Sequence, residues 1–136
     1  MTYALDTNTI IHILNDNKAV VLKRNEAVSA GSMFVIPPIV DYEIRRGLFY
    51  KPARKKEALY SAISSHYGIG EMAAIAWTRA ASIYADLRRA GYTVGDADIL
   101  IAAFCIVNGY TLVTNNTKDF EKIDGLLMVD WVGRGA

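Results

Sequence analysis

The chain has 136 residues, 52% of them hydrophobic and 21% charged, which excludes a disordered chain and fits one packed domain spanning residues 1–136. Fifteen Lys and Arg against fourteen Asp and Glu leave a formal charge of +1, which excludes a protein that coats nucleic acid through a strongly basic overall field. The cations are unevenly placed: Arg45, Arg46, Lys51, Arg54, Lys55 and Lys56 fall in a stretch that contains no acid, leaving nine basic and fourteen acidic residues elsewhere.

Tyr3-Ala4-Leu5 is a short apolar run that ends at Asp6. Ile10, Ile11, Ile13 and Leu14 then recur at helical spacing, with Thr7 or Asn8 available as a cap, so the chain opens as a strand followed at once by a helix. A second helical stretch covers residues 18–30 and stops at Gly31. Met33 to Ile36 reads as a strand, and Pro37-Pro38 suits the first turn of a helix running to Tyr50. Pro52 is expected to open the next helix, which reaches Tyr67 before Gly68 and Gly70. An Ala-rich amphipathic helix follows over residues 71–90 and ends at Gly91.

Ile99 to Thr117 carries no charge. Its apolar part, Ile99 to Val107, is far short of the ~20 residues needed to span a bilayer, so it reads as a buried helix, with Asp96 or a neighbour as its cap. Tyr110 to Val113 and Leu126 to Val129 read as the last two strands. Strands separated by helices predict an α/β fold with a central, mainly parallel sheet sandwiched by helices.

In such a sheet the ligand crevice lies beyond the carboxyl ends of the strands, and there the acids collect. Asp6 ends the first strand, Glu43 lies on the helix after the second, Asp98 begins the buried helix, and Asp119 follows the third strand. Several carboxylates in an apolar setting raise one another's pKa unless a cation intervenes. Oxygen-only donors without a Cys or His cluster favour Mg²⁺ or Mn²⁺, and that chemistry points to metal-assisted phosphodiester hydrolysis.

Each acid also has an ordinary reading. Asp6 fits a helix N-cap, Glu43 an exposed helix position, and Asp119 the start of a turn in which Asn116 competes for the same corner. Asp96 and Asp98 are two residues apart, about 200° around a helix, so Asp98 is assigned to the metal and Asp96 to capping or outer support. Asp41 is likewise expected to face away from Glu43. His12 and His66 lack partners at metal-ligand spacing. Cys105 reads as a core residue and has no partner for an internal disulfide, which with the absence of a basic leader in the first ten residues predicts the cytoplasm. Trp77 and Trp131 read as packing residues rather than base-stacking platforms, with Trp131 placed to close the core over the last strand.

Four segments in order carry a resemblance: Leu5-Asp6-Thr7-Asn8, Glu43-Ile44-Arg45-Arg46-Gly47, Asp98-Ile99-Leu100-Ile101-Ala102-Ala103 and Thr114-Asn115-Asn116-Thr117-Lys118-Asp119-Phe120, with Asp130-Trp131 at the end. Over almost the whole chain this resembles the PIN-domain ribonucleases, specifically the VapC-type toxins of bacterial toxin–antitoxin pairs. The resemblance implies a Mg²⁺- or Mn²⁺-dependent endoribonuclease, a homodimer neutralised by a cognate antitoxin, with transfer RNA a candidate substrate. It implies Asp6, Glu43, Asp98 and Asp119 as the metal-binding and catalytic acids, with Thr7 and Asn8 in support. Arg45, Arg46, Arg54, Lys55 and Lys56 then become candidates for RNA phosphates, against the plainer reading of a solvated helix face. A PIN nuclease of RNA maturation without an antitoxin, a phosphoacceptor signalling domain and a catalytically silent binding module are the competing readings.

Overall fold

A computed structural model describes residues 1–133; the last three residues of the expected domain lie outside the described residues. Four strands, β1 (Thr2–Leu5), β2 (Met33–Val35), β3 (Thr111–Val113) and β4 (Leu127–Val129), form one sheet in the order β2-β1-β3-β4. Every pairing is parallel, with Ala4 opposite Val35 and Leu5 opposite Val113, as the alternation of strands and helices predicts.

The chain leaves β1 for β2 on one side and returns to β3 on the other, so the direction of winding reverses at β1 and β3. That switch point opens a crevice at the carboxyl ends of the two strands. The first crossover is α1 (Thr7–Leu14) and α2 (Lys18–Ser29). Asp6 caps α1 through its side chain and Asn17 caps α2.

The second crossover is long. It runs through α3 (Pro38–Tyr50), α4 (Arg54–Tyr67), α5 (Ala74–Arg89) and α6 (Asp96–Asn108). Pro38 is the first residue of α3, where its missing N–H costs nothing. Pro52 stands outside α4, which is preceded by Ala53 with no side-chain cap. The cap of α6 is Gly95 rather than Asp96, which is its first helical residue. Ile99, Ile101, Ala102, Ala103, Phe104 and Cys105 are all buried, because α6 is apolar on nearly every side and lies between the sheet and α5. A one-turn helix, α7 (Thr117–Phe120), occupies the segment where the sequence suggested only a turn. Trp131 closes the core against Tyr3 and Phe34 as expected. Trp77 is 54% exposed on the outer face of α5, where it lines a groove with Tyr84 and Leu100, since the inward positions of that helix are taken by Ala76, Ala80, Ile83 and Leu87.

After α4 the chain runs for three residues beside β2. The Ile36 N–H donates to Gly68 O and the Gly70 N–H to Ile36 O, at 3.0 and 2.8 Å. Gly68 makes the bend at φ +85°, and Gly70 has no room for a side chain, because a Cβ there would stand 2.7 Å from Cε1 of Phe104 and closer still to Cζ. Phe104 is itself buried. Gly70→Ala is therefore expected to destabilise the fold by about 1–3 kcal/mol through overpacking, readable as a lower urea midpoint with unchanged slope.

Candidate metal and nuclease centre

Asp6 reaches the crevice because β1 ends on it, and it is only 4% exposed. Its Oδ1 accepts from the Thr7 N–H at 2.8 Å, and its Oδ2 from the Thr114 hydroxyl at 2.7 Å. The Asn8 amide lies 3.4 Å from both Asp6 Oδ2 and Thr114 Oγ1. The residue is thus the helix cap that one reading proposed and a member of the acid cluster that the other proposed: one carboxylate oxygen serves each task.

Glu43 is brought in by the second turn of α3. Its Oε1 accepts from the Thr7 hydroxyl at 2.7 Å, and Arg46 approaches Oε2 at 3.6 Å. Asp98 enters from the first turn of α6 and Asp119 from α7. Burial, together with the charges of Asp6, Asp119 and Glu43, pushes the Asp98 pKa up to about 6. Asp6 is also raised, chiefly by burial and further by Glu43, while its bonds from Thr114 and Thr7 oppose the shift. The four acids predicted from sequence therefore act on one another electrostatically across the crevice, the mutual repulsion that a bound cation relieves.

Among the described residues no three Asp, Glu, His or Cys side chains stand together as a ready-made metal cage. Mg²⁺ does not require one: it characteristically keeps several waters and takes one or two protein carboxylates. Oxygen-only donors, fixed by hydrogen bonds and short of positive charge, fit such an ion.

The remaining candidates divide. Asp96 is exposed and lines a groove with Trp77 and Tyr84 on the α5 side of α6, so it supports neither the cap nor the cluster. Asp41 faces away from Glu43 as expected, accepting from Tyr60 Oη at 2.7 Å and from Arg45 Nε at 2.9 Å. Arg45 also lies over the Tyr60 ring, which makes it a clamp between α3 and α4 rather than a free phosphate contact. Arg46 sits over Tyr42 while touching Glu43. Arg54, Lys55 and Lys56 are exposed in the first turn of α4 with no acidic partner among the described residues. Asn116 engages the corner through its backbone N–H, which donates to Thr114 Oγ1 at 3.0 Å. His12 approaches Asn17, and His66 packs on Tyr67. Cys105 is fully buried, and burial pushes its thiol pKa up, so it is no nucleophile.

Two threonines to which the sequence assigns no role support the crevice. Thr114 is fully buried beside Asp6, and Thr9 donates to Val113 O at 2.8 Å, tying the start of α1 to the end of β3. Thr114 directly follows β3, and Thr9 lies in the first turn of α1 beside it. Thr114→Val keeps the shape and removes the donor to Asp6, so the Asp6 pKa should rise further. Proton and cation then compete more closely: the expected result is about 10-fold weaker Mn²⁺ binding near pH 6, partly recovered at pH 8, by calorimetric titration.

Residues 3–126 match the family described as PIN domain. Ribonuclease VapC2 of Rickettsia felis is 29% identical to the chain over 134 residues, covering 96% of the chain and 98% of that protein. The tRNA(fMet)-specific endonuclease VapC of Shigella flexneri is also 29% identical, with the same coverage. Among solved structures, VapBC2 from Rickettsia felis bound to a DNA fragment from its promoter superposes with a TM-score of 0.87 at 26% identity, covering 96% of this chain and 99% of the other. DNA-bound VapBC from Salmonella typhimurium gives 0.86 at 28%, covering 96% and 98%.

Proposed function

The chain belongs to the PIN-domain family, and from that premise we propose that it is a VapC-like endoribonuclease, the toxin of a toxin–antitoxin pair, working with Mg²⁺ or Mn²⁺. The observation that carries the metal-dependent chemistry is the convergence of Asp6, Glu43, Asp98 and Asp119 on the switch point of the sheet, close enough to raise the pKa of Asp98. Asp6 and Asp98 would hold the ion, with Glu43 and Asp119 completing the acidic wall. When bound, the ion supplies a Lewis acid for phosphate oxygens and makes water a competent nucleophile at neutral pH.

The protein's own part is alignment. Thr114 and the Thr7 N–H hold the two oxygens of Asp6 in fixed directions, and the Thr7 hydroxyl does the same for Glu43. Such preorganisation spares the reaction the cost of ordering polar groups when charge develops on the phosphate. Arg46, beside Glu43, supplies a cation that an incoming phosphate can share.

Transfer RNA is the substrate class we propose, supported by the Shigella flexneri relative's name. A cognate antitoxin as inhibitor is supported by the VapBC complexes among the structural neighbours. A homodimer acting in the cytoplasm belongs to the same reading; no helix among the described residues is long and apolar enough to cross a membrane. The test is cleavage of a transfer RNA pool in Mg²⁺ or Mn²⁺, expected to stop on chelation, resume on adding the ion back, and cease with the product of a short gene immediately upstream. A protein that cuts no RNA in either metal would end this reading.

A further inference from the structure

Nothing within this chain requires Gly47 to be glycine. It lies in the third turn of α3, its φ is outside the left-handed range, and a Cβ placed on it meets no atom within 4 Å. Glycine is among the poorest residues for a helix interior, so folding alone would favour almost any other side chain. What the missing side chain leaves open is a groove of about 360 Å³ between α1, α3 and the turn into α4, on whose lining Gly47 lies.

The groove has three chemical parts. Ile11, Leu14, Leu48 and Pro52 give it apolar walls, Glu43 of the acid cluster lines it as well, and Lys51 and Lys56 are its cations. Both lysines are exposed and have no acidic partner among the described residues. Arg54, Lys55 and Lys56 also outnumber the single acid, Glu57, in the first turn of α4, where the helix dipole disfavours cations. A polyanion would relieve that arrangement.

We propose that this groove is a nucleotide subsite, in which the strand that presents its scissile phosphate to the acid cluster lays a neighbouring base against Ile11, Leu14 and Leu48. An adjoining phosphate then meets Lys51 and Lys56. The assignment rests on the ribonuclease reading and deepens it by placing the flanking part of the substrate. Apolar walls suit the faces of a base, and the shared Glu43 makes the groove continuous with the centre where the phosphate is cut. An apolar protein segment would match the walls while leaving both lysines unanswered.

Two variants test the assignment. Gly47→Leu fills the groove from a position with free space and a helical backbone; Lys51→Gln with Lys56→Gln removes the cations. Each is assayed for steady-state cleavage of transfer RNA over a range of salt, for Mn²⁺ affinity by titration, and for thermal midpoint. For Gly47→Leu we expect KM to rise at least about tenfold, the loss falling on KM more than on kcat, with Mn²⁺ affinity kept and a midpoint equal to or above that of the unaltered protein. For the double lysine variant we expect weaker binding and a plot of log affinity against log salt flatter by about 1 to 2. Unaltered KM and salt slope in both variants, with the parent protein active, overturns the subsite and leaves the ribonuclease reading standing; a parent protein that cuts no RNA removes both.

Discussion

Asp98→Asn and Asp6→Asn are each expected to slow RNA cleavage at least about 100-fold at neutral pH, with the circular dichroism spectrum unchanged. The substitution is nearly isosteric and removes charge rather than shape. At Asp6 an asparagine still presents an oxygen to the Thr7 N–H, because asparagine caps helices as well as aspartate does, so α1 should survive. What is lost is the negative charge that a divalent ion needs and that Thr114 and Asn8 hold in place. Asp41→Asn is the control. It takes a carboxylate from the same helix as Glu43 but from the Tyr60 and Arg45 clamp, so its effect should fall on stability and leave cleavage largely intact. Asp98→Asn protein that still cuts RNA at the parent rate would show that the centre is placed wrongly.

The same Asp98→Asn substitution should stabilise the protein when divalent ions are absent. The Asp98 pKa is raised to about 6 in the fold, mainly by burial and then by Asp6, Asp119 and Glu43, against about 3.9 for an unfolded aspartate. Between those two values the folded state binds more protons than the unfolded state, so stability falls as pH rises. Above about pH 6 the ionised group bears the full cost of its surroundings; below about pH 4 it is neutral in both states and the cost is gone. In chelator at pH 7 the asparagine variant is therefore expected to melt about 3 °C higher than the parent, with the gap closing as pH approaches 4. Saturating Mg²⁺ should reverse the order, because an ion that binds only the folded parent stabilises it by mass action, about 2.7 kcal/mol at one hundred times its dissociation constant. Thermal melts in chelator and in Mg²⁺, at pH 4.5 and 7, read the whole pattern. A variant that melts below the parent in chelator at pH 7 would show that the carboxylates do not repel one another as described.

The three acids Asp6, Glu43 and Asp98 were legible because each stands at a place the local pattern defines: the end of an apolar strand, the start of an apolar helix, a helix directly after a strand. Their helical phase was legible too, and it separated Asp98 from Asp96 and Glu43 from Asp41. It also contained the roles of the two arginines. Asp41 and Arg45 are four apart and Glu43 and Arg46 three apart, spacings that bring side chains together on a helix, yet the run of cations read as a block and not as pairs. Thr114 was hidden for a different reason. A threonine after a strand is commonplace, and its contact with Asp6 exists only because Leu5 lies opposite Val113 in the sheet. The sequence predicts parallel strands without ordering them. Gly70 is similar, since its glycine answers to Phe104 on a distant helix. Trp77 packs on the outside of α5, because Ala76, Ala80, Ile83 and Leu87 take the inward positions of that helix.

The pairing of β1 with β3 joins two segments that are synthesised far apart, since Asp6 finds Thr114 across 108 positions of sequence. During synthesis, which runs at about 5–20 residues per second, α1 to α5 can emerge while the crevice still lacks Thr114 and Asp119. A nascent or prematurely terminated chain that stops short of Thr114 consequently carries most of its acids and none of its finished centre.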